Sequence, residues 1–217
     1  MFCSNCGVKA TGNFCHACGA KLTAGESTVP AVLPLETAAP WEQELRYETL
    51  IKFPHVRKKL AELANDATTG IRAEDFLSLC DSVVKPMGPI SMTKIAPMLQ
   101  SMYGKLGVNT GKQRKETIPQ PVGVVLFNVL CTLASGGQKI KEVSQGEDGC
   151  IIQASIPSSI WTMEGKLMIT VTKLPNGTQL EAATKITGQY YDWGVSNKLL
   201  DSLYQTAKMV SSLREAA

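Results

Sequence analysis

The sequence predicts an α+β protein of 217 residues, with a small N-terminal cysteine module tethered to a larger globular part. Three observations carry that expectation. Four of the seven cysteines fall between Cys3 and Cys18. Apolar residues recur at helical spacing from Trp41 to Gly107 and again from Val122 to Leu133. After Ser135-Gly136-Gly137 the period changes to two, holds through four segments, and gives way to a last helical stripe from Val195. The expected organisation is a cysteine module at 1–22, a flexible linker at 23–40, a small helical segment at 41–117, and a domain at 118–217. In that last domain an antiparallel four-stranded sheet is covered by two helices.

Composition bounds the answer. A chain with 44% hydrophobic and 19% charged residues has a globular balance. The net charge of +3 arises in residues 41–118 and is too small to argue for nucleic acid by itself. Phe2-Cys3-Ser4 opens a cysteine cluster instead of a charged n-region, so no secretory signal is expected. The longest near-continuous apolar run, Val122–Ala134, is shorter than the roughly 17–25 residues of a membrane span. A soluble, cytoplasmic chain is expected. In that compartment paired C-x-x-C cysteines are metal ligands more often than disulfides.

The module is built on a repeated phrase. Cys3-Ser4-Asn5-Cys6-Gly7 and Cys15-His16-Ala17-Cys18-Gly19 each bring two thiolates to one side of a tight turn. The glycine after each pair permits the left-handed backbone that lets amide N–H groups face the sulfurs. Two such turns, joined through Thr11-Gly12-Asn13, form a tetrahedral cage of four sulfurs, which suits one structural zinc ion held by Cys3, Cys6, Cys15 and Cys18. Phe2 and Phe14 each precede a pair and are expected to pack over the site. Residues 1–22 otherwise offer Val8 and Leu22 to bury, and modules below about 40 residues usually need a metal or disulfides to hold a fold. Structural zinc contributes on the order of 10–16 kcal/mol in finger peptides, so folding and metal binding should be one event here. Four thiolates on Zn²⁺ leave about −2 by formal valence, which Lys9 and Lys21 can offset.

This stretch resembles the short four-cysteine zinc ribbons at the N-termini of many bacterial proteins, matching at Cys3, Cys6, Gly7, Phe14, Cys15, Cys18 and Gly19. The resemblance covers residues 2–22 and implies metal binding, while ribbons of this kind are attached to very different partners. The other chemistries of such spacing fit less well. A redox C-x-x-C requires a thioredoxin-like βαβ setting. A catalytic zinc keeps an open coordination position that four cysteines close. Haem attachment needs His where Gly19 stands. Cys80, Cys131 and Cys150 each lie alone among apolar neighbours and read as small hydrophobes in a core.

Thr23–Pro40 has three prolines, small residues and no periodicity, which is linker composition. Beyond it four helices are expected. Trp41 to Ile51 gives the first, ending near Pro54. Val56, Leu60 and Leu63 mark the second. Phe76, Leu77, Cys80, Val83 and Val84 mark the third, closed by Pro86. Ser91 caps a fourth, with Ile95, Met98, Leu99, Met102, Tyr103 and Leu106 on its stripe and Gly107 as its stop. Two basic groups stand out: Arg57-Lys58-Lys59, and Lys112-Gln113-Arg114-Lys115. Gly107–Gln113 lacks the spacing of a phosphate loop, and Gln113 stands where Ser or Thr must hold Mg²⁺.

In the last domain, Pro119 and Pro121 open an apolar helix through Leu133. Lys139–Ser144 and Cys150–Ser155 flank a QGEDG hairpin turn. Lys166–Thr172 alternates Leu167, Ile169 and Val171 inward with Met168, Thr170 and Thr172 outward. Asn176-Gly177 signals a type I′ turn, and Thr178–Ile186 returns with Leu180, Ala182 and Ile186 on one face. Val195, Leu199, Leu203, Ala207 and Val210 form the stripe of a final helix. Residues from Gln138 to Leu203 are similar to a domain of uncharacterised bacterial proteins, a resemblance that implies no activity.

The expected function is a non-enzymatic, zinc-binding adaptor whose ribbon is an interaction module and whose partner is a protein. It rests on what a mechanism would need and the sequence lacks: His16 and His55 are its two histidines, and Glu164 and Asp192 are single acids near aromatic loops. Those loops place Trp161, Tyr190, Tyr191 and Trp193 as a candidate surface for a ligand or partner. Two alternatives stand beside it. The ribbon and Arg57, Lys58 and Lys59 could share a nucleic-acid phosphate track. A cavity between the sheet and its helices could carry a small apolar ligand or lipid.

Overall fold

The computed structural model describes residues 40–67, 72–86, 91, 112–158, 164–186 and 193–209. The chain divides into two units, Met1–Pro34 and Leu35–Ala217, and all described residues belong to the second. The ribbon, the linker up to Ala39 and the helix expected after Ser91 lie outside them.

Chain order explains the architecture. A 3₁₀ turn at Pro40–Gln43 leads to a single helical turn α1 (Tyr47–Leu50), then to α2 (Pro54–Asp66) and α3 (Ala73–Ser82). The expected continuous helix over Trp41–Ile51 is therefore broken, because Arg46 is extended (φ −78°, ψ 117°). Pro54 occupies the first turn of α2, where its missing N–H leaves no helical bond unmade. Strand β1 (Val84–Pro86) follows α3 directly, and β2 (Gln113–Ile118) precedes α4 (Val122–Ser135). Strands β3 (Ile140–Gln145), β4 (Gly149–Ile156), β5 (Gly165–Leu174) and β6 (Gly177–Ile186) then run as an antiparallel meander, closed by α5 (Val195–Lys208).

The molecule is thus mixed α and β, as expected, but its sheet has six strands in the order β1-β3-β4-β5-β6-β2 and is mixed in direction. The expected four-stranded antiparallel sheet is its inner part. β1 adds to β3 in parallel and β2 adds to β6 antiparallel, so both edges come from the segment read as helical. The division expected at 117/118 consequently cuts through β2. Val84 fits the helical stripe of α3 by spacing, but its backbone pairs with Val143, and the Val143 amide donates to Val83 O at 2.9 Å. Among the described residues no helix is long and apolar enough to cross a membrane.

One face of the sheet carries the core. Cys150, Val171 and Leu180 form a row across β4, β5 and β6, and Ile152, Ile169 and Ala182 form the next. All are buried, in one cluster with residues from each of the five described helices. α4 is buried along nearly its whole length, so its apolar residues need no polar face. Its single amide side chain is partnered: Asn128 Nδ2 donates to Met209 O at 2.9 Å, which holds the chain leaving α5.

β2 lacks an apolar alternation and is held by other means. The Tyr204 hydroxyl of α5 reaches the carbonyl oxygens of Arg114 and Leu180. Arg114 lies over the Tyr204 ring, 5.2 Å from its centroid, and its guanidinium donates to Asp201 at 2.7 Å. Lys208 pairs with Glu116. The β5–β6 turn falls where expected, but Pro175 and Asn176 form its corner. Among the described residues Trp193 alone is a non-glycine with positive φ, so Asn176 does not take a type I′ conformation. Gly177 instead absorbs the bend at φ 138°, a conformation costly to any residue with a Cβ.

Met168, Thr170 and Thr172 alternate with the core-facing Leu167, Ile169 and Val171 as expected, and they too are buried, with Met168 only 4% exposed.

Candidate functional site

The four cysteines expected to bind zinc, Cys3, Cys6, Cys15 and Cys18, lie outside the described residues, as do Trp161, Tyr190 and Tyr191. Among the described residues no group of three or more His, Cys, Asp and Glu side chains could hold a metal ion. The candidate groups that the structure does place are the basic side chains of α2, the three lone cysteines, and Trp193.

Arg57 and Lys59 already face acids. The Arg57 guanidinium donates two parallel bonds to Asp81 of α3, at 2.9 and 2.8 Å, the fork-to-fork geometry of an arginine–carboxylate pair. Lys59 lies 3.5 Å from Glu62 one turn later, and Lys58 is exposed. The second basic group is similarly engaged. Arg114 pairs with Asp201, Lys115 lies 3.8 Å from the largely buried Glu181, and Gln113 donates to Glu181 at 2.7 Å. Sequence alone does not suggest the Arg57–Asp81 pair, because the two residues lie on different helices, which are also linked by the Ala73 amide donating to Asn65 Oδ1 at 3.2 Å.

The Arg57 bonds hold the Asp81 carboxyl below its ordinary value, the charge of Arg57 and Lys52 adding to the effect. A depressed carboxylate contributes stability that is present above its unfolded pKa and lost as pH falls through the folded one. Both side chains are more than a third exposed, at 38% and 47%, so solvent screens the pair. Arg57→Gln is expected to cost less than about 1 kcal/mol at pH 7. The difference from the parent should shrink between pH 7 and an acid pH below the ordinary carboxylate range, as the carboxyl is protonated through its depressed folded value. Urea unfolding at the two pH values measures it. An equal difference at both would mean that the loss is one of packing.

The lone cysteines are core residues. Burial pushes the Cys80 thiol up to about 11, against the opposing influence of the Tyr47 hydroxyl. Burial pushes Cys131 and Cys150 up to about 12 each. All three remain protonated at neutral pH, and a buried neutral thiol is inert. The Tyr47 hydroxyl is itself buried without a partner of full hydrogen-bond geometry. The Cys80 thiol close to it is a weak one, and burial first and Cys80 second push the phenol well above its ordinary value. His55 stands against the Trp41 ring edge-on, with centroids 5.6 Å apart.

Trp193 differs from all of these. It is 61% exposed and takes a left-handed backbone (φ 50°) just before Gly194, the residue that starts α5. Bulky side chains rarely adopt that conformation, and such outliers concentrate where a site needs a particular presentation. Glu164, at the start of β5, is exposed.

No family model matches the chain, and neither a curated protein nor a solved structure matches it.

Proposed function

We propose that this is a non-enzymatic adaptor in which an N-terminal zinc ribbon contacts a protein partner and the α+β unit serves as its anchor. The observation that carries the reading is the repeated C-x-x-C-G phrase at Cys3–Gly7 and Cys15–Gly19, set in a stretch with little else to bury. One zinc ion bound by Cys3, Cys6, Cys15 and Cys18 supplies the fold of that stretch. The proline-bearing linker gives the module reach. The anchor's larger functional groups are spent on structure: Arg57 on Asp81, Arg114 on Asp201 and Tyr204, and the lone thiols on the core. Trp193 offers a second contact point for the same class of partner.

Metal analysis of protein purified under reducing conditions is expected to give one zinc per chain, and Cys15→Ser to abolish stoichiometric binding. Chains with and without residues 1–40 are then used as bait in parallel. Partners lost on truncation support the ribbon as the contact module. An unchanged set of partners, or a native chain free of zinc, rejects the reading.

A further inference from the structure

We propose that Lys139, Lys166 and Lys185, at one end of the outer face of the sheet, form a docking site for a short acidic segment of the protein partner. The proposal rests on the adaptor reading in one respect, that the partner is a protein. The strand pairings place the three lysines in one row. Ser155 lies opposite Lys166, and Lys166 lies opposite Lys185. The Ser155 amide donates to Lys139 O at 2.9 Å, which extends the β3–β4 ladder by one residue. Ile140, Ala154 and Leu167, neighbours of this row along the strands, belong to the core, so the lysines stand on the side away from the helices. Lys139 and Lys166 are exposed, and Lys185 is half-buried.

Residues directly opposite on paired strands stand about 5 Å apart at Cβ, and like charges there repel. Lys166 and Lys185 are such a pair. The acids of the same face are engaged elsewhere. Glu142 faces Lys85 at 3.1 Å. Glu181 accepts from Gln113 at 2.7 Å and lies 3.8 Å from Lys115. Among the described residues, none of the three lysines of the row stands in an ion pair, and neither does the exposed Glu164. The row therefore carries repulsion that a bound anion would relieve.

Length and surroundings select the kind of anion. From β3 to β6 the row crosses three strand spacings, about 14 Å. An extended peptide turns every second side chain to one face, about 7 Å apart, so three alternate acidic residues cover the same about 14 Å. A long polyanion fits less well. Glu142, Glu164 and Glu181 lie on the strands that carry the row or on their ends, and a running phosphate backbone would meet them. Among the described residues the row also holds no aromatic side chain on which a base could stack.

The test titrates a fluorescent oligoglutamate peptide with the intact chain and follows anisotropy. Binding is expected at low salt and should weaken as salt rises. Lys139→Glu combined with Lys166→Glu is expected to weaken it at least about tenfold. If that variant does not fold, Lys139→Gln with Lys166→Gln is used, with a smaller loss expected. No binding of the peptide, or equal binding by a folded variant, would overturn the proposal. So would tighter binding of a single-stranded oligothymidylate that the same variant loses. Full-length Cys15→Ser separates this site from the ribbon: it is expected to bind the peptide as the parent does, and a loss there would overturn the assignment to the sheet. A native chain free of zinc rejects the adaptor reading without changing the peptide result. Lys166→Gln measures the repulsion in the absence of ligand. It is expected to raise the urea midpoint at low salt, with the gain fading at high salt. A midpoint unchanged or lowered would show the lysine to be neutralised already, and would overturn the proposal too.

Discussion

Gly123→Ala is expected to destabilise the protein by about 2–3 kcal/mol, although the same change in an exposed helix interior stabilises by up to about 1 kcal/mol. Gly123 lies in the first turn of α4, against the 3₁₀ turn at Pro40–Gln43. A Cβ built there would stand 2.1 Å from Trp41 O and 2.7 Å from Glu42 O. These are backbone atoms, so no rotamer change relieves the overlap, and the turn must move off the helix. The same turn carries Trp41 and Glu42, both buried. Equilibrium urea unfolding reads the effect as a lowered midpoint at unchanged slope. A variant as stable as the parent would show that the turn does not approach the helix this closely.

Phe127→Ala is expected to cost about 3–5 kcal/mol, the range for deleting a buried aromatic ring. Phe127 is four residues beyond Gly123, on the same side of α4, and meets the Trp41 ring edge-on with centroids 5.7 Å apart. Because both positions face residue 41, the two substitutions share a partner and should not add. In a double-mutant cycle, Phe127→Ala and Trp41→Ala are expected to couple by about 0.5–1.5 kcal/mol beyond their separate effects. Strict additivity would mean that the rings are neighbours without mutual stabilisation.

The contrast between these positions and the sheet edges shows what a sequence makes legible. α4 announces itself because every turn of Val122–Leu133 is apolar, and the inner strands because Leu167, Ile169 and Val171 alternate with other residues over a run long enough to fix the period. The turns between them fall in the expected places because Gly146, Gly149 and Gly177 interrupt the pattern. β1 is invisible for the opposite reason: three residues give no period, and Val83 and Val84 complete a helical stripe as well as they begin a strand. β2 reads Gln-Arg-Lys-Glu-Thr-Ile, with one buried side chain. Its stabilising contacts are ladder bonds and ion pairs with residues far along the chain, such as Asp201 and Lys208, which no local window contains.

Among the candidate site residues the same rule separates what is legible from what is not. The cysteine pairs carry their chemistry in their spacing, so the expectation of zinc at Cys3, Cys6, Cys15 and Cys18 needs no partner elsewhere. The Arg57-Lys58-Lys59 group has no such internal specification. Its reading as a phosphate contact depends on what stands opposite, and opposite Arg57 stands Asp81. Trp193 stands out in the sequence by its aromatic neighbourhood. Its exposure and left-handed backbone are tertiary facts with no local signature.

Since Val84–Pro86 and Gln113–Ile118 flank strands that come later in the chain, synthesis finishes the margins of the sheet before its middle exists. Neither margin has anything to pair with while it leaves the ribosome, so the assembly must wait for Ile186 to emerge. A fragment starting at residue 118 would have the reverse trouble. Its meander would offer two raw borders, on β3 and β6, to any passing strand, and self-association is the expected fate of such a truncation.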